Sequence, residues 1–163
     1  MQKKELEQAL ADIAENRQHM QKQLCDFAPT DLLLFFSDKS ELAALQKRKW
    51  LPLINWAKDF LHIDLHTTQS LNVPDNSDFI NSLSKVFADL NDRDFCCWYA
   101  ASLNMRSVLL GLALVKKVID AQTASELSAV EELWQNKRWG HDKIADQARQ
   151  LKTDELKEIE SFL

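Results

Sequence analysis

Two histidines are the residues of this chain whose spacing most resembles a metal-binding motif. His62 and His66 are four residues apart, which is the spacing of two metal ligands on one face of a helix. Ile63 stands where a zinc protease of that pattern carries its glutamate. The segment 62–68 alternates apolar and polar residues and so predicts a strand, in which residues four apart lie about 13 Å from one another. The sequence therefore predicts no metal site.

Three cysteines are the other candidates for reactive chemistry. Cys25, Cys96 and Cys97 make an odd number without C-x-x-C spacing, which argues against a disulfide framework and favours a reducing compartment. Cys96 and Cys97 lie in an apolar run, so buried packing is their expected role. One alternative stays open: a small helical ligand-binding protein or enzyme, with a pocket near Cys96, Cys97 and Arg106. A helix bundle that assembles with itself is a third hypothesis.

Glycine content and charge exclude several classes of protein. The 163 residues include only two glycines, Gly111 and Gly140. Neither a glycine-rich nucleotide-binding loop nor the G-x-S-x-G turn of serine hydrolases fits that number. The net charge of −5, without a long basic run, argues against a nucleic-acid surface. We expect no cofactor, no nucleic-acid partner and no small-molecule substrate.

The scarcity of turn residues predicts a mainly α fold. Apolar residues recur at helical spacing in about six segments. No composition shift marks a linker, so we expect a single helical domain over residues 1–163. Segments 32–36 and 62–68 are predicted as short strands, which would give at most a short two-stranded β element.

Residues 95–115 form the longest apolar run of the chain. Its length would span a bilayer. However, Asn104 and Arg106 fall near its centre, where an arginine costs about 2.5–3.5 kcal/mol on insertion scales. We therefore predict that this run is the buried central helix of a soluble domain, without membrane insertion.

The segment 131–140 carries two tryptophans in an otherwise polar setting. Tryptophan is enriched at binding hot spots, because a large amphipathic ring buries much area at small entropic cost. From the residue types alone, core packing and a partner interface both stay open. The residues concerned are Glu131, Glu132, Trp134, Gln135, Trp139 and Gly140.

The order of three motifs in this chain resembles a known family. The first is Thr30-Asp31, an apolar run, and then Leu-Gln-x-x-x-Trp-x-Pro-Leu-Ile-x-Trp-Ala over 45–57. The second is Leu-Gly-Leu-Ala-Leu over 110–114, and the third is Glu-Glu-Leu-Trp-Gln-x-x-x-Trp-Gly over 131–140. Together they resemble the helical C-terminal domain of the mitochondrial and alphaproteobacterial assembly chaperones that bind the α subunit of F₁ ATP synthase.

The chain departs from the family pattern in two places. Leu51 stands between the tryptophan and the proline of the first motif, where the family usually has an acidic residue. Family members also carry an N-terminal β-rich domain, and we expect that domain to be absent from this chain, whose resemblance covers residues 9–162.

The resemblance implies an assembly chaperone without chemistry of its own. Such a protein binds and protects the free α subunit until the β subunit displaces it, and it is not an enzyme. Glu131, Glu132, Trp134 and Gln135 are then the expected contact residues, with Trp139 and Gly140 beside them at the turn. A start at Met1 without a transit segment leads us to expect the bacterial cytoplasm as the location, with the mitochondrial matrix as the alternative.

Overall fold

The fold is built from nine α-helices over residues 2–163, the range that the computed structural model describes. The predicted mainly α class is confirmed, whereas the predicted count of about six helices is too low. In chain order the helices are α1 (Lys3–Ala11), α2 (Ile13–Phe27), α3 (Ser40–Leu61), α4 (Ser77–Asp89), α5 (Asp92–Met105), α6 (Val108–Val115), α7 (Ala121–Ser128), α8 (Val130–Trp139) and α9 (Lys143–Glu160).

The extra helices come from breaks inside three of the predicted helices. Asp12 separates α1 from α2, Arg106 begins the break between α5 and α6, and Ala129 separates α7 from α8. None of these residues is glycine or proline, which are the usual signals of a helix end. Each break is short, so the apolar stripe continues across it and the sequence pattern shows one helix.

The two segments predicted as strands meet only through an isolated parallel bridge between Phe35 and Thr68. Backbone N–H groups of Phe36 and Thr68 donate its two hydrogen bonds, over 2.8 and 2.9 Å. Leu32–Leu34 is a 3₁₀ turn, and most of 62–68 is irregular. The predicted pairing of the two segments is therefore confirmed, whereas the prediction that each segment is a strand is wrong. In the first segment, Asp31 accepts a hydrogen bond from Leu33 N and so stabilises the 3₁₀ turn.

The predicted central helix is instead a hairpin of two buried helices, α5 and α6. Arg106 takes a left-handed conformation with φ of 57°, and Ser107 caps α6 by accepting a hydrogen bond from Leu110 N over 3.0 Å. Gly111 lets the two helices lie close together. A Cβ at that position would lie 2.5 Å from Ser102 Oγ and 3.1 Å from Ser102 N. The burial of this segment is confirmed, and its continuity as one helix is wrong.

The helices of residues 2–163 were also compared with what a membrane span requires. None of them is both long enough and apolar enough to cross a bilayer. Helix α6 is apolar throughout but has only eight residues, well short of the roughly 20 that a span needs.

Two buried indole groups connect neighbouring helices of the core. Trp50 of α3 donates its Nε1–H to the carbonyl of Leu127 in α7 over 2.8 Å. Trp98 of α5 donates to the carbonyl of Val108 in α6 over 3.0 Å. Because a buried N–H without a partner costs about 1–3 kcal/mol, these bonds fix the position of each ring as well as filling space.

Asp31 connects the 3₁₀ turn to the start of α6 through a fully buried carboxylate. Its Oδ1 accepts hydrogen bonds from Leu33 N over 3.0 Å and from Ser107 Oγ over 2.7 Å. Its Oδ2 accepts from Leu109 N over 2.9 Å. Burial is the largest influence and raises the pKa of Asp31 to about 6, although all three hydrogen bonds act in the opposite direction.

Cys96 and Cys97 point into the core from α5. Both thiols are buried, and Cys97 Sγ donates to the carbonyl of Ile159 in α9 over 3.7 Å. Burial raises the pKa of Cys96 to about 11 and that of Cys97 to about 12. Arg106 is exposed beyond the end of α5. The structure thus does not bring these three residues together around one pocket.

We predict that Asp31→Asn destabilises the protein more at low pH than at neutral pH. The folded pKa of about 6 exceeds the ordinary value of about 3.9 in the unfolded chain. The stabilisation from the protonated carboxyl is therefore complete below about pH 4 and is lost as the pH rises through about 6, a difference of about 3 kcal/mol. Urea unfolding of the parent protein and of Asp31→Asn at about pH 4 and about pH 7 measures this difference in the free energy of unfolding.

The control for this prediction is Asp89→Asn at the exposed end of α4, which should change the free energy of unfolding by the same amount at both pH values. Asparagine at position 31 cannot accept from all three donors, so some loss of stability is expected at every pH. An equal loss at both pH values would contradict a raised folded pKa.

We predict that Cys25 is the first of the three cysteines to react in the native protein. It is half-buried on α2, whereas Cys96 and Cys97 are buried and have pKa values far above neutral. Because the thiolate is the reactive form, the two α5 thiols should stay unmodified until the chain unfolds. Mass spectrometry after labelling with and without urea checks this, and rapid labelling of Cys96 or Cys97 in the native state would revive the pocket hypothesis.

Candidate partner-binding surface

Helix α8 carries five of the six residues that the sequence singles out, and Gly140 caps it. Glu131 and Glu132 lie in the first turn, and Lys137 and Arg138 in the last, which is the favourable arrangement of charges with respect to the helix dipole. Gly140 has φ of 86° and ψ of 170°, a conformation that is essentially restricted to glycine. No atom lies within 4 Å of a Cβ built there, so the backbone angle rather than space requires glycine.

The predicted site residues do not share one face, because α8 stands between two depressions. Glu131, Glu132 and Gln135 line a cavity of about 560 Å³, together with residues of α5, α9 and the turn at Arg106. Trp134 lines a larger groove of about 1040 Å³ on the other side of the helix.

The two glutamates differ in their contacts. Glu132 pairs with Arg149 of α9 over 3.1 Å, and Arg149 also pairs with Asp146 over 2.9 Å. Hydrogen bonding from Arg149 is the largest of the influences that hold the pKa of Asp146 below its usual range. The side chain of Glu131 is exposed and makes no hydrogen bond or ion pair with any other residue in 2–163. Glu132 therefore holds α8 against α9, and Glu131 is available to a partner.

The two tryptophans of the segment pack against each other at the end of α8. Their rings meet edge to face with centroids 5.6 Å apart. The Arg138 guanidinium lies 4.9 Å from the centroid of Trp134 and forms an ion pair with Glu41 of α3. Trp134 is half-buried, whereas Trp139 is 67% exposed. Core packing and surface exposure thus both occur, one for each ring.

Exposed apolar side chains continue from Trp139 onto α9. Ile144 is 78% exposed and Leu151 is 66% exposed. The sequence pattern does not indicate that these two residues are exposed, because they fall on an apolar stripe that ends in the buried Leu156 and Ile159. The interval of five residues between Leu151 and Leu156 was the available signal, since it rotates the stripe by about 140°.

The described residues were searched for clusters of side chains that could bind a metal ion. Within 2–163, no group of three or more His, Cys, Asp or Glu side chains is placed to hold a metal ion. His62 ends α3 in a left-handed conformation, and His66 is exposed in the irregular segment that follows.

Part of the chain is similar to one known protein family, and its fold is similar to those of solved structures. The sequence model of the ATP12 chaperone protein family matches residues 1–58, a range that includes the first of the three motifs. No curated protein matches the sequence.

Solved structures match nearly the whole chain. The crystal structure of Atp12 from Paracoccus denitrificans has 28% sequence identity and a TM-score of 0.88, over 94% of this chain and 67% of that one. A point mutant of the same Paracoccus protein matches at 26% identity and a TM-score of 0.86.

A third match has lower identity and supports the fold. The Atu1473 protein from Agrobacterium tumefaciens has 22% identity and a TM-score of 0.78, over 94% of this chain and 59% of that one. This chain thus spans about two thirds of the length of the proteins it matches. The family model and the two Paracoccus structures confirm the resemblance that the motifs predicted: the chain is similar to the ATP12 chaperone family over residues 1–58 and to Paracoccus Atp12 in its fold.

Proposed function

We propose that this chain is an assembly chaperone for the F₁ sector of ATP synthase, which binds the free α subunit until the β subunit displaces it. The observation that carries the proposal is the similarity to Paracoccus Atp12, with a TM-score of 0.88 over 94% of the chain. In this proposal residues 1–163 are one helical chaperone domain. It works where the α subunit is made, in the bacterial cytoplasm or, as the alternative, in the mitochondrial matrix.

The apolar part of the contact is the exposed row Trp139, Ile144 and Leu151, which we call the α8–α9 row. A free α subunit exposes the surface meant for its neighbour in the ring, and an apolar patch of that kind promotes aggregation. The α8–α9 row supplies apolar area to cover it. Trp139 is the expected anchor, since an exposed tryptophan can bury a large ring on binding.

The polar part of the contact is Glu131, with Gln135 one helical turn further along the same face. A charge at the edge of an interface fixes orientation and speeds encounter more than it adds affinity. Glu132, Trp134 and Gly140 act indirectly: Glu132 through Arg149, Trp134 by packing against Trp139, and Gly140 through the turn into α9.

Release requires only competition between surfaces. The chaperone and the β subunit share a site on α, so the larger final interface displaces the smaller temporary one, and the outcome is a difference of two affinities. Binding of this kind uses no cofactor, no substrate and no catalytic residue. The deep burial of Cys96 and Cys97 agrees with a role that involves no thiol chemistry.

We predict that this chain retains its cognate α subunit in a co-purification experiment and does not retain the β subunit. In the proposed contact, the α8–α9 row covers an apolar surface of the free α subunit. Adding β to the complex should release α. Loss of α from a helical, folded sample of this chain would contradict the proposed function.

We also predict that Glu131→Ala weakens binding of α about fivefold or more without loss of stability. Because the Glu131 side chain is exposed and forms no hydrogen bond or ion pair with another described residue, the free energy of unfolding should change by less than about 0.5 kcal/mol. Titration calorimetry and urea unfolding measure the two quantities.

The matched control for Glu131→Ala is Glu7→Ala, which removes an exposed carboxylate from α1. Both variants change the net charge equally, so a general charge effect would appear in both. Glu132→Ala is a less direct test, since it also breaks the ion pair with Arg149. Unchanged affinity of a folded Glu131→Ala protein would remove Glu131 from the contact.

A further inference from the structure

The groove on the Trp134 side of α8 has an apolar floor formed by several helices. We call it the α3–α8 groove. Its apolar lining comes from α3, α7 and α8, namely Leu45, Leu53, Leu127, Val130, Leu133 and Trp134. Its volume of about 1040 Å³ is large enough for several side chains of a bound segment.

The rim of the α3–α8 groove carries positive charge without partners. Arg48 and Lys49 on α3 and Lys137 on α8 all line it. All three side chains are exposed, and none of them makes a hydrogen bond or ion pair with another residue in the described range 2–163.

Two of the three acidic side chains that line the same groove form ion pairs. Glu41 pairs with Arg138, and Asp146 pairs with Arg149 over 2.9 Å. Glu126 accepts a hydrogen bond from Gln122 Nε2 over 3.0 Å. Because Gln122 is neutral, Glu126 keeps its negative charge. Three cations without an ion pair (Arg48, Lys49 and Lys137) against this one carboxylate still leave the groove positive, although the chain as a whole carries −5.

An apolar floor with unpaired cations at its rim suits an amphipathic segment that carries acidic side chains. Apolar residues of such a segment fill the groove in the manner of a helix or strand lying against a hydrophobic surface. Its carboxylates meet the cations at the edge, where opposite charge sets orientation.

We infer that the α3–α8 groove binds an acidic, apolar segment of the α subunit, separately from the contact at Glu131 and the α8–α9 row. This inference rests on the proposed function. Helix α8 then lies between two parts of its client, with an anionic contact on one side and a cationic one on the other. Two opposite charges at fixed positions specify the orientation of the client, because a reversed client would place like charges together.

The test uses the full chain and overlapping synthetic peptides that together cover the α subunit sequence. Peptides rich in acidic and apolar residues should bind, as measured by fluorescence anisotropy. The double variant Lys49→Glu with Lys137→Glu should weaken that binding by about tenfold or more and should remove most of its salt dependence.

Matched controls separate the groove from general charge. The double variant Lys4→Glu with Lys47→Glu makes the same change in charge at exposed sites outside the groove, and its affinity should stay within about twofold of the parent. For the floor, Leu133→Gln should weaken binding, whereas Leu71→Gln, at a side chain that is 99% exposed, should not. Circular dichroism confirms that each variant is folded.

The outcomes distinguish the groove from the proposed function. Binding of acidic peptides that fails in the groove variants and persists in the controls supports the inference. Equal binding by groove and control variants, or absence of any acidic peptide among the binders, overturns it even if intact α is retained. Failure to retain intact α, with groove-dependent peptide binding preserved, overturns the proposed function and leaves the ligand class of the groove supported.

Discussion

The buried carboxylate of Asp31 is the contact that holds the 3₁₀ turn against the start of α6. It accepts hydrogen bonds from Leu33 in the 3₁₀ turn that it precedes, from the α6 cap Ser107 and from Leu109 in the first turn of α6. Leu32 N also donates to the carbonyl of Arg106 over 3.1 Å. The turn and the bend between α5 and α6 therefore hold each other in place. Removing one partner from such a network leaves the others buried and unsatisfied, which costs more than the net value of any single bond.

Much of the fold follows from local patterns in the sequence, and the remainder depends on contacts between distant residues. Helical periodicity and the lack of glycine were sufficient to predict the mainly α class. The bend at Arg106 was not predictable in this way, because a left-handed arginine is unfavourable by itself and is stabilised here by Asp31, far away in the sequence. The apolar run at 32–36 was predicted as a strand because its hydrophobicity is visible in the sequence, whereas the contacts of Asp31 with Ser107 and Leu109, which hold the turn against α6, arise only in the folded protein.

The candidate site, like the fold, was predictable in its location and not in the contacts of its individual residues. The motif at 131–140 located α8, but a list of residues does not reveal that its two sides border different depressions. Glu131 and Glu132 are adjacent in sequence and differ in availability, since Arg149 engages only one of them. The exposure of Ile144 and Leu151 depends on where α9 leaves the core. The family motif thus identified the helix, and the structure separates residues available to a partner from those that hold the helix in position.

The two glycines have a consequence for the unfolded chain. Gly111 is required because a Cβ would collide with Ser102, and Gly140 because of its positive φ. Elsewhere the 163 residues contain no glycine, and a chain with few glycines has fewer backbone conformations to lose when it folds. The composition therefore lowers the conformational entropy of the denatured ensemble, and glycine remains only where the native backbone has no substitute for it.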